Sequence, residues 1–435
     1  MSIFRSYDVR GIYGKDIDEG IMKRIGAAFC KVSTKTIVVA NDMRVSSESL
    51  KQAFISGFNG TVIDCGCVPL GAGMMHALGK YDYAYVTASH LTKEWNGIKF
   101  FHKSGIGFYE NENKKIEELF KETVPRGKPV VKREVTKKIL DDYKKYILGK
   151  IKINKKLIVA IDCGNGMASV VARQVFEEAG FVVNIIFDKL DGTFPERGPD
   201  PSDSDLNELS KKAQSADMGI AYDGDGDRMV IVDNNGMRLT PEQTSYFILL
   251  EAVKNSGPIV ANVECTRLID DIAKKFNKKV IRVPVGHTFL MQAVDKHKAC
   301  FGVEVSGHYT LPYMAPIDDS LMVSIYAAAV LSKQNKSLSE IIKGVKNYPF
   351  GRIGMDCSDA KKFKIVENLK TKFKKEYEKV TTLDGVRVDF PGGWVLIRAS
   401  NTSSMIRLTV EAEGKKTFER LKKKFSEVLK KEISG

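Results

Sequence analysis

Long apolar runs are missing from this sequence. Nowhere do about eighteen apolar residues follow one another, the length a helix needs to cross a bilayer, so no membrane span is expected. The opening Met-Ser-Ile-Phe-Arg-Ser-Tyr-Asp holds no apolar signal core, which predicts a cytoplasmic protein. Paired cysteines are missing too. There are 7, an odd number, and the one close pair, Cys65 and Cys67, lacks the spacing of a zinc site. All seven read as small core residues in a reducing compartment. A basic tail and an aromatic–basic interleaving are also absent, so nucleic acid is not an expected partner. The net charge of +14 comes largely from lysines on helical patterns such as "KKFKIVENLKTKFKKEYEK" and "KKTFERLKKKFSEVLKK". Their apolar spacing makes the lysines a solvated face, and the positive balance suits anionic small molecules.

What remains is a chain rich enough to fold into several cores. With 435 residues, 43% of them hydrophobic and 28% charged, it has room for about two to four domains and is not disordered. Three stretches share one pattern: "TIVVANDMRVSSESLKQAFISGF" from Thr36, "LIVAIDCGNGMASVVARQVFEEAG" from Leu157 and "PIVANVECTRLIDDIAKKF" from Pro258. Each reads as a β-branched strand, a loop with Asp, Asn, Gly or Thr, and an amphipathic helix, the unit of an α/β sheet. Their spacing is too wide for a solenoid, so three similar α/β domains are expected. Residues 347–435 differ. A helix, a hairpin-like pair of strands in "GVRVDFPGGWVLIRASNTSSMIRLTVEAE" and a closing helix predict a smaller α+β domain. The expected limits are 1–148, 149–240, 241–346 and 347–435.

Four loops carry candidate chemistry. In "YAYVTASHLTKEWNGIKF" a buried-type strand ends at Ser89 beside His90, with Lys99 ten residues on. An ordinary strand exit reads the same way, but so does a nucleophile with helpers. No Gly-x-Ser-x-Gly elbow surrounds Ser89, which argues against an α/β-hydrolase and leaves metal assistance as a route to a reactive oxygen. The loop "AYDGDGDRMVIVD" supplies that option. Asp223, Asp225 and Asp227 repel one another unless a cation holds them, and Gly224 and Gly226 let the backbone curl so that all three face one point. An EF-hand fails, because Arg228 and Asn234 stand where it needs Gly and Glu; a few oxygen ligands with room for a phosphate oxygen suit Mg²⁺. A polar Asp-Gly turn is the plain alternative. In "FGVEVSGHYTLP", Glu304, Ser306 and His308 alternate, so in a strand they share one face and can grip sugar hydroxyls; an edge strand with satisfied polar groups is the alternative. In "RASNTSS" at 398–404, Arg398 offers a fork for phosphate, with donors from Ser400, Asn401 and Thr402, though Ser and Asn also simply favour turns.

In this order the loops resemble those of the α-D-phosphohexomutase superfamily, over essentially the whole chain. "SYDVRG" at 6–11 is similar to the start of its phosphomannomutase/phosphoglucomutase branch, "TASH" to its phosphoserine loop and "DGDGDR" to its metal loop. "GVEVSGH" resembles its sugar-binding loop, "RASNTSS" its phosphate-binding loop, and "DMRVSS" at 42–47 and "VGHTF" at 285–289 are further matches. The resemblance implies three α/β domains with mixed sheets and a smaller C-terminal α+β domain around a central cleft. It implies that Ser89 carries a transferable phosphate, and that one Mg²⁺ per chain sits on Asp223, Asp225, Asp227 and an oxygen of that phosphate. Arg10, Lys99 and His308 would be catalytic, steadying the phosphoryl group and moving protons. Tyr7, Arg228, His287, Glu304, Ser306 and His308 would bind substrate, and Arg398, Ser400, Asn401 and Thr402 would hold the phosphate that is not reacting. The implied reaction interconverts hexose 1- and 6-phosphates of mannose or glucose through a hexose 1,6-bisphosphate, in a cytoplasmic monomer or homodimer whose partners are small sugar phosphates.

Two positions depart from the family pattern: Leu91-Thr92 stand for Asn-Pro after the serine–histidine, and Ser403-Ser404 for Glu-Pro in the phosphate loop. Three rivals stand beside this reading. A phosphoglucosamine mutase is similar, but its branch resembles Gly-Thr-Asp-Gly-x-Arg-Gly at the start. A metal-dependent sugar phosphatase and a non-catalytic sugar-phosphate-binding protein are the others.

Overall fold

Each of the three repeated stretches folds as its pattern predicts in the computed structural model, which describes residues 3–125, 129–400 and 404–434. Strand Thr36–Asn41 leads into helix Ser47–Gly57, strand Ile158–Asp162 into helix Ala172–Glu178, and strand Ile259–Asn262 into helix Leu268–Lys275. The first sheet has six strands in the order Asp8–Ile12, Trp95–Phe101, Asp82–Val86, Thr36–Asn41, Thr61–Cys67 and Val130–Arg133. The second runs Met229–Asp233, Met218–Tyr222, Ile158–Asp162, Val182–Ile186, and the third Val280–Val283, Ile259–Asn262, Phe301–Val303, Tyr309–Thr310. In all three the middle strands are parallel, and an antiparallel strand is added on one side. The sheets are therefore mixed, as expected. Strands such as Asp82–Val86 and Met218–Tyr222 are buried at every residue, because helices cover both faces.

One topological feature places the chemistry. In each α/β unit one parallel strand turns back into an antiparallel neighbour, and the turn is one of the loops singled out above. Residues 87–94 join Asp82–Val86 to Trp95–Phe101; residues 223–228 join Met218–Tyr222 to Met229–Asp233; residues 304–308 join Phe301–Val303 to Tyr309–Thr310. All three loops leave the carboxyl end of a parallel strand, where α/β sheets place their ligand sites.

The units are tied together by helix Ser320–Ser332. It has no polar face, and all of its residues are buried. Ser320 Oγ donates to the carbonyl of Asp227 (2.8 Å), and Ser324 Oγ bonds Tyr222 OH (2.5 Å), so this helix of the third unit braces the aspartate loop of the second. Tyr143 OH donates to Asp319 Oδ2 (2.6 Å) at its N-terminus. A single apolar cluster runs through these units from Val38 to Tyr348.

The C-terminal region corrects the hairpin-like pair expected from its sequence. It is a five-stranded antiparallel sheet in the order Phe350–Asp356, Met405–Ala412, Gly393–Ala399, Val386–Phe390, Val380–Thr381, backed by helices Asp359–Glu376 and Lys415–Ser434. Its core is its own, built on residues such as Leu369, Phe373, Ile397, Leu408 and Phe425. The contact with the third unit joins a small apolar cluster of Val263, Val285, Trp394 and Leu396 to polar ties: Val285 N–H donates to Asp384 Oδ2 (3.0 Å) and Arg267 N–H to Glu411 Oε2 (2.9 Å). The lysines of the two helices form a solvated face as predicted, except Lys362, which is buried. We propose domain limits near 148, 240 and 346, since each falls between the last strand of one sheet and the first of the next. Among the described residues no helix is long and apolar enough to cross a membrane.

Burial pushes the Glu411 carboxyl up from 4.5 to about 7. The folded chain then holds this proton more tightly than the unfolded one. The resulting stabilisation is full below pH 4.5 and is lost as pH rises through about 7. Urea melts of the wild type should lose on the order of 2 kcal/mol from this group across that window. Glu411→Gln should lack that part of the slope; parallel slopes for the two chains would contradict the assignment.

Candidate active site

Ser89 sits where strand Asp82–Val86 has just ended, in the left-handed region at φ 51°, an uncommon and costly conformation for a residue with a Cβ. Something must hold it, and that residue is Arg44. Its buried guanidinium donates to four main-chain carbonyls: Ser89 (2.8 Å), Leu91 (2.6 Å), Thr92 (2.7 Å) and Trp95 (3.0 Å). Its remaining edge meets Asp42 Oδ2 at 3.1 Å. Asp42 also accepts from Arg44 N–H (3.0 Å) and from Thr87 Oγ1 (2.7 Å). The loop is thus held by its backbone, so Leu91-Thr92 fit without the family's Asn-Pro.

Ser89 Oγ then lies 3.0 Å from Asp223 Oδ2 and 3.3 Å from His90 Nδ1. The aspartate loop curls as its glycines predict, with Gly226 at φ 82°. Gly226 N–H and Arg228 N–H donate to Asp223 Oδ1 (3.0 and 3.1 Å). Lys99 Nζ reaches Asp225 Oδ2 (2.8 Å) and Asp227 Oδ2 (2.6 Å). Strand pairing delivers Lys99 there. Asp8 lies opposite Lys99 and Arg10 opposite Gly97, where the Val9 carbonyl comes within 1.9 Å of the place a Cβ would occupy.

The three aspartates are buried, and Asp223 and Asp227 are pushed in opposite directions. Burial, together with Asp227 and Asp225, pushes Asp223 well above its usual range. Burial also opposes the charge on Asp227, but Lys99, His308 and Arg228 outweigh it and hold that carboxyl well below 3.8. Burial would likewise lower Lys99, yet Asp225 and Asp227 raise it. One carboxylate oxygen of each of these two, Asp225 Oδ1 and Asp227 Oδ1, is buried with no hydrogen-bond partner among the described residues. Unmet buried acceptors are costly. Ligand atoms of Asp223, Asp225 and Asp227 lie within 4.8 Å of one another, so the donor set fits a hard divalent cation such as Mg²⁺. Asp227, His308 and Asp318 meet the same distance criterion, but there His308 Nδ1 already faces Asp318 Oδ2 at 2.6 Å.

Residues 304–308 correct the strand expected for them. They form a turn in which Glu304 N–H donates to the carbonyl of His308 (3.0 Å) and Gly307 takes φ +91°. The alternation of polar residues reflects this turn, and the side chains divide. Glu304 accepts from Ser306 Oγ (2.9 Å), Asn262 Nδ2 (3.2 Å) and Gly286 N–H. His308 turns to Arg228, whose Nε–H donates to Nε2 (2.9 Å), and its Nδ1 lies 2.6 Å from Asp318 Oδ2; burial opposes charge on this ring, but Asp318 and Asp227 outweigh it and raise the imidazole above its ordinary value. Beside it, His287 stacks on His308 at 5.5 Å, and burial with His308 and Lys99 holds it well below 6.5, so its ring is neutral. Tyr7 OH donates to the Val285 carbonyl (2.8 Å), and Arg10 Nε meets Asp8 at 2.6 Å.

From the C-terminal domain, Arg398 Nε donates to Asp384 Oδ2 (3.1 Å) and Ser400 follows it. Asn401 and Thr402 lie outside the described residues. Buried Lys362 donates to the Ser400 carbonyl (2.6 Å) and meets Asp359 at 2.7 Å, supporting this loop from behind. Arg44 and Lys362 were not among the sequence-predicted site residues. Their targets are backbone carbonyls, which leave no trace in side-chain patterns, although Arg44 stands in the matched "DMRVSS".

A cavity of about 740 Å³ opens between all four domains, walled by Tyr7, Arg10, His90, Arg228, His287, Glu304, Ser306, His308, Arg398 and Ser400 among others. Ser89, Lys99 and the three aspartates form a buried layer beside it, with His90, Arg10, Arg228 and His308 at the boundary. The structure therefore gathers every described candidate residue around one cleft, in two groups: a buried layer of the serine, the lysine and the aspartates, and a lined cavity.

Comparison with known proteins agrees with this arrangement. Four descriptions match in order: "Phosphoglucomutase/phosphomannomutase, alpha/beta/alpha domain I" over residues 1–126, domain II over 141–236, domain III over 241–348 and the C-terminal domain over 355–428. A phosphomannomutase/phosphoglucomutase of Pseudomonas putida is 31% identical over 98% of this chain and 94% of its own length. A probable phosphoglucosamine mutase of Methanocella arvoryzae is 33% identical over 100% of this chain and 99% of its own. The crystal structure of a phosphoglucomutase/phosphomannomutase family protein from Burkholderia thailandensis has a TM-score of 0.88, with 26% identity, covering 100% of this chain and 98% of that one.

Arg44→Gln should leave Asp42 buried beside a lost guanidinium and four carbonyls without donors. We expect a loss of about 3–5 kcal/mol of folding stability, as for other broken buried ion pairs. A chemical denaturation shift worth less than about 1 kcal/mol, the scale of a surface pair, would show that the loop holds Ser89 without it.

Proposed function

The chain belongs to the phosphoglucomutase/phosphomannomutase family, and on that premise we propose that it interconverts hexose 1-phosphates and 6-phosphates through a phosphorylated Ser89. The observation that carries this reading is the pairing of Ser89 Oγ with Asp223 Oδ2 at 3.0 Å, inside a carboxylate cluster that keeps two unpartnered oxygens. A serine held there is placed to share a cation with those carboxylates.

The proposed cycle needs two phosphate positions. The phosphoryl group on Ser89 passes to a free hydroxyl of a hexose monophosphate: the Ser89 Oγ–P bond breaks and Oγ takes up a proton, a sugar O–P bond forms, and the sugar hydroxyl gives up its own proton to a base, so the two proton transfers balance. His308 is the candidate for that base: Asp318 holds its Nδ1 side, and Nε2 can take the proton at the cavity wall once Arg228 Nε–H, from which it accepts here, turns to the phosphoryl group. Arg10, Arg228 and Lys99 offset charge on the moving group, which is most of what phosphoryl transfer asks of a protein. Mg²⁺, held by Asp223, Asp225 and Asp227, would supply further charge neutralisation at the phosphoryl oxygens. Arg398 and Ser400, with Asn401 and Thr402, hold the phosphate that is not reacting. The hexose 1,6-bisphosphate so formed turns end for end and returns its other phosphate to Ser89. Glu304 and Ser306 are spaced to accept and donate to sugar hydroxyls on the way.

The sugar is mannose or glucose in the first reading, since Glu304-x-Ser306 grips hydroxyls that both present alike. Glucosamine is the second reading, because relatives named for that sugar match the whole chain as well as those named for mannose and glucose do. A coupled assay with mannose, glucose and glucosamine 1-phosphates separates them. Comparable kcat/KM for mannose and glucose with less for glucosamine supports the first; a glucosamine preference supports the second; hydrolysis without isomerisation would make the protein a phosphatase.

Two measurements test the chemistry. Intact-mass analysis should find part of the purified protein heavier by one phosphate, and Ser89→Ala should lack that species and turn over at least about a thousandfold slower. Near-normal turnover of Ser89→Ala would exclude the phosphoserine route. Asp225→Asn should cut activity by a factor on the order of a hundred or more while the chain stays folded, and EDTA should do the same reversibly. Full activity of metal-free protein would exclude the cation.

A further inference from the structure

The C-terminal sheet turns a row of arginines toward the cleft. Arg398 lies directly opposite Arg407 across the pair Gly393–Ala399 and Met405–Ala412. Arg407 lies opposite Gly354 of strand Phe350–Asp356, and Arg352, two residues before Gly354, lies opposite Thr409. Facing residues and residues two apart share a side of a sheet, so all three arginines stand on one face. That face is the cavity wall, which includes Arg352, Arg398 and Arg407. Exposure falls along the row: Arg352 is exposed, Arg407 half-buried and Arg398 buried.

This row is unfavourable without an anion. Like charges directly opposite on a ladder destabilise it. Arg398 has Asp384 as a partner at 3.1 Å. Among the described residues, neither Arg407 nor Arg352 makes an ion pair or a side-chain hydrogen bond; Arg352 rests only over the Phe350 ring at 5.9 Å. Glu264 is the nearest compensation and is shared. It is buried, accepts from Thr409 Oγ1 (3.3 Å), and attracts both Arg398 and Arg407. Burial pulls Arg407 below its ordinary value; Glu264 opposes that, and Arg398 and Arg352 add to it. Gly354 leaves no side chain beyond Cα directly across from Arg407, so nothing on that strand blocks its fork. The three guanidiniums are offset by Asp384, Glu264 and exposed Asp203, but among the described residues only Arg398 of the three has an ion-pair partner, so the forks of Arg407 and Arg352 stay open toward a cavity large enough for a sugar phosphate.

We infer that Arg407 and Arg352 form a second anion station on the C-terminal sheet, beside the Arg398 clamp, which takes a phosphomonoester dianion as it enters or turns in the cleft. The station itself rests on the row of arginines; only the identity of the anion rests on the sugar-phosphate reading. Guanidinium forks match phosphate oxygens in pairs, and a row graded from exposed to buried gives an incoming dianion successive partners on the way to Arg398. It also gives a turning bisphosphate a hold on one end while the other is free.

The test is titration calorimetry with inorganic phosphate and, separately, glucose 1,6-bisphosphate, on full-length wild type, Arg407→Gln and Arg352→Gln, each with a thermal melt. Arg352 is exposed, so that variant folds whatever the fate of the other. Both variants should bind both anions more weakly, Arg407→Gln by about tenfold, as expected for a lost charge-assisted bond. The ligand-free Arg407→Gln chain should melt no lower than wild type, since a repulsion has been removed. Unchanged binding of both anions in both variants would overturn the station, even if the wild type proves to be a mutase. Weakened phosphate binding in a protein that shows no mutase activity would keep the station and overturn the proposed reaction instead.

Discussion

Three carboxylates buried within one loop cannot all be ionised without positive charge at close range, and much of the molecule is arranged around that constraint. Lys99 meets two of them and leaves an oxygen on each unmatched. Asp223, with no lysine, is pushed toward its neutral form and takes Ser89 as its neighbour. The lysine arrives on a strand whose pairing is set by Gly97, and the loop is braced from the third unit by Ser320. A divalent cation held by these carboxylates would offset the remaining imbalance, with the serine oxygen beside it. In this view Ser89 owes its chemical significance to the charge problem next to it, and its strained backbone to the need to stand there.

The repeat explains how one chain assembles such a site. Each α/β unit turns one parallel strand back into an antiparallel neighbour, and that turn carries the serine in the first unit, the aspartates in the second and the Glu304–His308 group in the third. Equivalent positions have been filled with different chemistry and aimed at one cleft. The fourth domain contributes in another way. It has a core of its own, a contact with the third unit that combines a small apolar cluster with polar ties, and Lys362 bonded to the Ser400 carbonyl, so its cationic face can be presented to the cleft as a unit.

Much of this was legible in the residues. The strand–loop–helix pattern marked the three units, because burial on both faces gives parallel strands a continuous apolar signature. The Asp-Gly alternation marked the cation loop, because that composition has few other uses. Other features depend on three-dimensional pairing that no local pattern encodes. Residues 304–308 alternate as a strand does, and only the left-handed Gly307 makes them a turn. Arg44 acts on carbonyls up to 51 positions away, so its role is invisible until the loop is closed. The C-terminal domain has five strands where two were expected: the stretch read as a pair holds three, Val386–Phe390, Gly393–Ala399 and Met405–Ala412, and Phe350–Asp356 and Val380–Thr381 are short or half-exposed edges with weak apolar signals. Their register is what sets Arg352, Arg398 and Arg407 on one face.

The central claim is that phosphorylated Ser89 and the aspartate cluster share one cation. Phosphorus-31 NMR of the purified phosphoprotein with Mn²⁺ in place of Mg²⁺ tests it directly, because a paramagnetic ion touching the phosphate erases its resonance. The account predicts a phosphoserine signal that is sharp with Mg²⁺ and broadened beyond detection by one equivalent of Mn²⁺, and that returns when Asp225→Asn weakens the site. A phosphoserine signal that stays sharp with Mn²⁺ bound would contradict it.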